Sequence, residues 1–568
     1  MTLFLSGNPQ LPNPPTVLTQ NQPGTDASAR DRAQLLSHPV ISRFHSPSIC
    51  VVGASFGDEG KGRIVDDLLE MLRFHAGSEN AVAVVLKANG GANSGHTANG
   101  HKLNLLPSGV VDEHVPHIAL GRGVVADPLK LTWETKTLEA AGLDVMGRLA
   151  IDPKTMLSTI IHRVLDKANE IYRTRQTGQS RGSTGRGITP AFADETTQQQ
   201  IFFGDLAGSY NDFYAKLSEK AQLAASICRE VYGISNDEWF QIFEELTTAE
   251  QRANRQQIEE GTITAEELDF RSFCGDEPFS FNLEPLARTY WKQGQKFLSN
   301  ITDVSELILA AHSRGQFVIS EHGQGYFLDR RHGFTPNVTA SSTWVAGFFD
   351  SANIPCDSVY VVAVAKAYVT KVGTHLRLTQ IPENHPLIAG LDERGTTTGR
   401  DRQIDWFDAV EMGHVIRHGG VDEIAINKLD LLGCGASLQV CRAYRKPDGS
   451  IIQTVPPFDA ERSQLEPIYV SCDGWEEDIS SCRTFAELPA AAQRYIGTLY
   501  RYSIEAAYPE GGSILPWRLP TIGAIGVGPN RGELVSEVPS PDMLLELGGM
   551  ERTRIDRLLQ GRAAALSS

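Results

Sequence analysis

From Ile49 onward the chain alternates short apolar runs with longer stretches in which apolar residues recur every three or four positions. The run Ile49-Cys50-Val51-Val52 is followed by Ile64 to Leu72, whose apolar positions fall on one face of a helix. Ala81 to Leu86, Phe317 to Ser320, Val359 to Val364 and Ile424 to Ile426 are further short runs, and they read as buried strands. Leu129 to Ala141 carries helical spacing. Strands and helices that alternate in this way predict an α/β fold. Residues 1–48, rich in Pro, Asn, Gln and Ser, show no sustained period and read as a flexible N-terminal arm. The core is expected to begin at Ile49 and the main body to run over 49–540. Within it, 209–298 is polar and helix-prone, with patches at Asp237 to Glu245 and Ala249 to Glu260; it reads as an inserted helical element on the surface. Residues 541–568 form a C-terminal extension with helical spacing at Met543 to Leu547 and Ile555 to Leu559, either packed on the body or part of an oligomer contact.

A length of 568 residues exceeds what one core needs, so several domains or one large domain with insertions are expected. The net charge of -17 argues against a general nucleic-acid or anionic-membrane surface but leaves room for a local basic pocket. No apolar run approaches the roughly 18 residues of a membrane span, and the longest, around Val359 to Val369, contains Lys366. The first residues, Met1-Thr-Leu-Phe-Leu-Ser, lack the basic start and apolar core of a secretory signal. The eight cysteines form no C-x-x-C pair and read as reduced thiols of a cytosolic protein.

Chemistry concentrates where apolar runs enter glycines. Gly53-Ala-Ser-Phe-Gly57-Asp58-Glu59-Gly60-Lys61-Gly62-Arg63 lies between a predicted strand and a predicted helix. Such a loop either makes a tight turn or gathers backbone N–H groups into an anion cradle beside the helix N-terminus. Lys61 adds a full positive charge, while Asp58 and His96 can move protons or hold a metal. The spacing differs from a Walker A loop, and Gly62 stands where Ser or Thr would bind Mg2+. The hydroxyls and Arg186 of Gly182-Ser-Thr184-Gly185-Arg186-Gly187 suit a phosphate monoester, or form a solvated turn. The stretch Gly395-Thr396-Thr397-Thr398-Gly399-Arg400-Asp401-Arg402-Gln403 can grip a carboxylate, or again be an exposed charged turn. Asn427-Lys428-Leu429-Asp430 ends a strand with a carboxylate able to accept the N1 and N2 hydrogens of guanine.

Gly57 to Gly62, Gly90-Gly-Ala-Asn-Ser-Gly-His-Thr97 and Leu105-Leu-Pro-Ser-Gly109 together resemble the adenylosuccinate synthetase family, and the later motifs keep the family's order as far as Ile522 to Arg531. The resemblance implies a large, mostly parallel central sheet flanked by helices, related to P-loop nucleotide-binding folds. It also implies a GTP-dependent ligase that phosphorylates O6 of IMP and displaces the phosphate with L-aspartate, in a cytoplasmic homodimer using Mg2+. On matching positions, Asp58, His96 and Lys61 would be catalytic, with Mg2+ on Asp58 and the Gly95 carbonyl. Asn93, Thr184, Gln324, Thr339 and Arg400 would bind IMP, and Thr397, Thr398, Arg400 and Arg402 aspartate. GTP would meet Gly57, Glu59, Gly60, Lys61, Gly62, Asn427, Lys428, Asp430, Gly526 and Gly528. The chain departs from the family at Gln198, where an Arg reaches a partner's IMP phosphate, at His322, Lys371 and Gly526, and at Asp401 and Gln403, which make the amino-acid loop less positive. Gln198, Gln403 and Gly526 keep in view a divergent ligase acting on another purine nucleotide or another amine, and the extra segments a non-catalytic nucleotide-binding scaffold that uses them as contacts.

Overall fold

The computed structural model describes residues 40–567, except 181, 372–374, 392, 394–401, 513 and 515. A nine-stranded sheet forms the centre. Its strands in chain order are β1 (Ser48–Gly53), β2 (Val82–Lys87), β3 (His117–Leu120), β4 (Leu149–Ile151), β5 (Phe317–Glu321), β6 (Tyr360–Lys366), β7 (Glu423–Asn427), β8 (Thr521–Gly526) and β9 (Leu534–Val535). Across the sheet the order is β9-β8-β7-β6-β1-β5-β2-β3-β4, and only the edge pair β8·β9 is antiparallel. The mostly parallel sheet implied by the resemblance is therefore present. Side chains alternate between two cores: Ile49 and Val51 face one, Cys50 and Val52 the other. Both faces are covered, which is why the strands read as unbroken apolar runs rather than alternating ones.

Eight helices carry the argument: α1 (Lys61–Ala76), α2 (Ile160–Thr177), α3 (Ile188–Thr196), α4 (Tyr210–Ser226), α5 (Asn236–Ala253), α6 (Leu283–Gln295), α7 (Ala409–Gly419) and α8 (Ala490–Ala507). The region expected to be a surface insertion is not confined to the surface. Trp239, Phe243 and Leu246 of α5 and Tyr290 of α6 are buried in the same core as β1, because the apolar side of each helix turns onto the body. The body also starts before Ile49, since Ile41 and Phe44 are buried against β5 and β6, with Phe44 edge-on to Phe317 and Tyr360. The C-terminal extension packs on α8. Gly497 comes so close that a Cβ there would lie 2.9 Å from the Gly548 nitrogen, and Arg501 donates to the Gly548 and Gly549 carbonyls at 2.9 Å each. No helix among the described residues is long and apolar enough to cross a membrane.

Candidate active site

Because eight strands run the same way, their carboxyl ends share one edge of the sheet, the place where open α/β sheets bind ligands. The glycine loops that follow β1, β2 and β5 meet there around a cavity of about 450 Å³. Asp58 and Lys61 line it from the first loop, Asn93, Gly95 and His96 from the second, and Gln324 from the third. Thr184 and Thr339 add hydroxyls, and Arg402 and Lys428 add positive charge. Gly57, Gly60 and Gly62 form part of the wall. Arg400, Thr397 and Thr398 lie outside the described residues.

Glu59 shapes the first loop. This carboxylate is 1% exposed. It accepts from the Ser55 and Gly57 N–H groups at 3.0 and 2.7 Å and from Lys61 Nζ at 3.1 Å. Asn427 has a similar part, donating to the Glu59 carbonyl at 2.7 Å and so joining the end of β7 to the loop. The resemblance assigns both residues to GTP, and in the structure each also fixes the shape of the first loop. Gly57 must be glycine on two counts: its φ is +94°, and a Cβ would lie 2.5 Å from Gln324 Cα. Helix α1 starts at Lys61 behind Gly60, with no side chain capping its first turn, so its first N–H groups and the positive end of its dipole remain available to an anion.

His96 is held from behind. Its Nδ1 is hydrogen-bonded to Glu321 Oε1, and Glu321 also accepts from the Ser108 nitrogen at 2.5 Å and hydroxyl at 2.7 Å. Burial would raise the Glu321 carboxyl, but the ring and the Ser108 donors overcome it and hold the pKa at about 2. Burial lowers the pKa of His96 despite the carboxylate that opposes the shift. The imidazole is then neutral near pH 7, with its proton fixed on Nδ1 by Glu321. Its buried Nε2 has no hydrogen-bond partner among the described residues.

Asp58 sits among donors. Thr370 Oγ1 donates to it at 2.5 Å, and Arg402 Nε and Lys366 Nζ lie 3.0 and 3.4 Å away. Arg402, which the resemblance gives to the second substrate, also pairs with Glu393. Glu393 gathers Lys428 at 2.6 Å, Lys366 at 3.3 Å and the Tyr368 hydroxyl at 2.5 Å. Burial works against its charge, yet Lys366 and Lys428 keep its carboxyl well below the usual range. Arg186, for which the sequence leaves a phosphate contact and a solvated turn equally open, does not line the cavity and pairs with the buried Glu250.

Asp430, Gly526 and Gly528 do not line the cavity. Arg63 links them to the first helix, bonding the Gly528 carbonyl through one nitrogen and the Glu533 carbonyl at 2.5 Å through another. Burial raises the Asp430 pKa against the pull of Lys428 and Arg63. The glycine at 526 has a local reason: a Cβ there would lie 2.7 Å from Asn427 Oδ1 and 3.1 Å from Arg63 Nη1. Sequence reasoning missed Glu321, Thr370 and Glu393 as parts of the site. Glu321, like Lys87 and Lys366, is a charged residue at the carboxyl end of an apolar strand, and that position was the available signal.

Glycine loops and helix N-termini gathered at the carboxyl ends of a parallel sheet define a nucleotide-binding α/β protein. The family model described as adenylosuccinate synthetase matches residues 50–272 and 251–504. The chain is 32% identical over 500 residues to the adenylosuccinate synthetase of Acidothermus cellulolyticus, covering 86% of this chain and 98% of that one. It is also 32% identical over 498 residues to the enzyme of Hahella chejuensis, with the same coverage of each chain. The fully ligated adenylosuccinate synthetase from Plasmodium falciparum shares its fold at a TM-score of 0.69 and 26% identity, covering 87% of this chain and 100% of that one. The chain belongs to the adenylosuccinate synthetase family, a ligase family of purine biosynthesis.

Proposed function

We propose that this chain is a GTP-hydrolysing carbon–nitrogen ligase that converts IMP and L-aspartate into adenylosuccinate, GDP and phosphate. The observation that supports it most is the pair formed by Asp58 and His96, carried on separate loops and lining one cavity with Lys61 between a glycine loop and a helix start. In this reading Asp58 takes the N1 proton of the 6-oxopurine, and O6 attacks the γ-phosphorus. Lys61 and the N–H groups at the start of α1 offset the charge of the phosphates. His96 donates from Nε2 to the oxygen in transfer. It first gains that proton as the triphosphate's charge enters, since Glu321 already holds the one on Nδ1. The amine then displaces phosphate at C6. Arg402 releases Asp58 to grip the amino acid's carboxylate. Asp430 reads guanine.

The donor set suits a hard divalent cation, because Asp58 and Gly95 line the same cavity and a carboxylate and a carbonyl are the oxygens Mg2+ accepts beside phosphate and water. Asp58 and the Gly95 carbonyl would hold it, and the bound ion would supply neutralisation of phosphate charge. The protein acts in the cytoplasm as a homodimer in this proposal.

One observation favours a second reading, a ligase acting on another purine nucleotide: Gln198 supplies no cation where the family's Arg does. Phosphate release from GTP, measured with IMP, GMP or dGMP against aspartate and other amino acids, separates the two. The proposal expects release to require IMP and aspartate together. A requirement for GMP or dGMP favours the second reading, and no release with any pair overturns both.

A further inference from the structure

Helix α5 carries none of the family's motifs, yet its last turn begins at Glu250, whose side chain is 0% exposed. Three cations from other elements face this carboxylate. Arg186 of the Gly182–Pro190 loop is bonded to it through Nη1, Arg163 Nη2 of α2 lies 2.9 Å away and Lys130 Nζ 3.9 Å. Asn254 Nδ2 completes the set at 2.9 Å. The same Arg163 donates from Nε to the Gly185 carbonyl at 3.2 Å and lies over the Phe270 ring, 4.6 Å from its centroid. One guanidinium within the loop and another on its backbone are thus fixed by a single buried acid. On the other side Asp166 accepts from the Ser183 hydroxyl at 2.8 Å and the Gly187 nitrogen at 3.1 Å. Held from both sides, the loop presents Thr184 and the start of α3, Ile188 and Thr189, to the cavity.

We propose that Glu250 is a positioning residue, which sets the loop of residues 182–187 so that Thr184 and the N-terminus of α3 meet an anionic group of the substrate, making α5 a working part of the binding site. This rests on the reading of that anion as the phosphate of a nucleoside monophosphate. Without the carboxylate, Arg163, Arg186 and Lys130 are three cations with little water between them, and their mutual repulsion acts on the loop.

The test compares full-length wild type, Glu250→Gln and Glu250→Asp. Hydrogen–deuterium exchange of the ligand-free proteins should show the amides of 182–189 exchanging about tenfold faster in the Gln variant, with those of 53–60 unchanged. In steady-state assays the KM for the nucleoside monophosphate should rise about tenfold in the Gln variant, and the Asp variant should recover part of it. The kcat and the KM values for GTP and the amino acid should stay within about twofold. Unchanged exchange at 182–189, or a loss confined to kcat with the monophosphate KM unmoved, overturns the proposal. If Glu250→Gln fails to fold, Arg186→Lys takes its place in the same exchange measurement: it keeps the charge and loses the fork, and unchanged exchange there overturns the proposal equally. A wild type that turns over no 6-oxopurine nucleoside monophosphate refutes the functional reading, while the exchange arm still decides the role of Glu250.

Discussion

In the proposed reaction His96 meets two opposing demands: it must be neutral enough to sit buried and charged enough to donate during transfer. Burial lowers its pKa below the ordinary value, and Glu321 pulls it back up. A polyphosphate brought to the free Nε2 adds negative charge and raises it further. Between the free and bound values the ring is neutral before binding and charged after, so GTP binding should take up as much as about one proton at a pH just above the free value. Calorimetry in buffers of different ionisation enthalpy measures this uptake, and His96→Asn should remove it; equal uptake in the variant contradicts the role. The residues in glycine motifs were legible because their meaning is local: a turn, a helix start, a neighbouring hydroxyl. Their supports were not, since Glu321 lies 225 positions from His96 and Thr370 lies 312 from Asp58. Only the fold makes such partners neighbours. Arg186 is the reverse case. Beside hydroxyls in a glycine loop it reads as a ligand cation, and nothing local announces Glu250 64 positions on.

Among the elements, strands β1, β2, β5, β6 and β7 were legible as apolar runs because a strand covered on both faces has no polar side to show. Region 209–298 read as a surface element because its helices expose one charged side, while their apolar positions turn inward onto the body. Trp239 is 0% exposed and packs edge-on to Phe243 and Phe281 at centroid distances of 5.5 and 5.2 Å. Trp239→Ala should therefore cost about 3–5 kcal/mol, the range for removing a large aromatic from a core. Urea unfolding followed by circular dichroism checks it, and a change below about 1 kcal/mol would mean that α5 contributes little to the body. The role proposed for Glu250 depends on the same packing, since Glu250 stands on the helix that Trp239 anchors.

For the whole molecule, the net charge of -17 coexists with a cavity edged by Lys61, Arg402 and Lys428, because each of these cations is placed by a carboxylate of the chain: Glu59, Asp58 and Glu393. The parallel sheet explains why motifs spread from Gly53 to Asp430 share one edge, a convergence that length and composition could not reveal. Membership of the ligase family limits the chemistry, and the loops that carry Asp58 and His96 line one cavity, which is where the proposal puts it. The most direct test is the rate of phosphate release from GTP in the presence of IMP and aspartate, compared among wild type, Asp58→Asn and His96→Asn. Each variant should fall by at least about 10²-fold while still binding GTP, as expected for removal of a general acid or base; turnover within a few-fold of wild type in either would contradict the account.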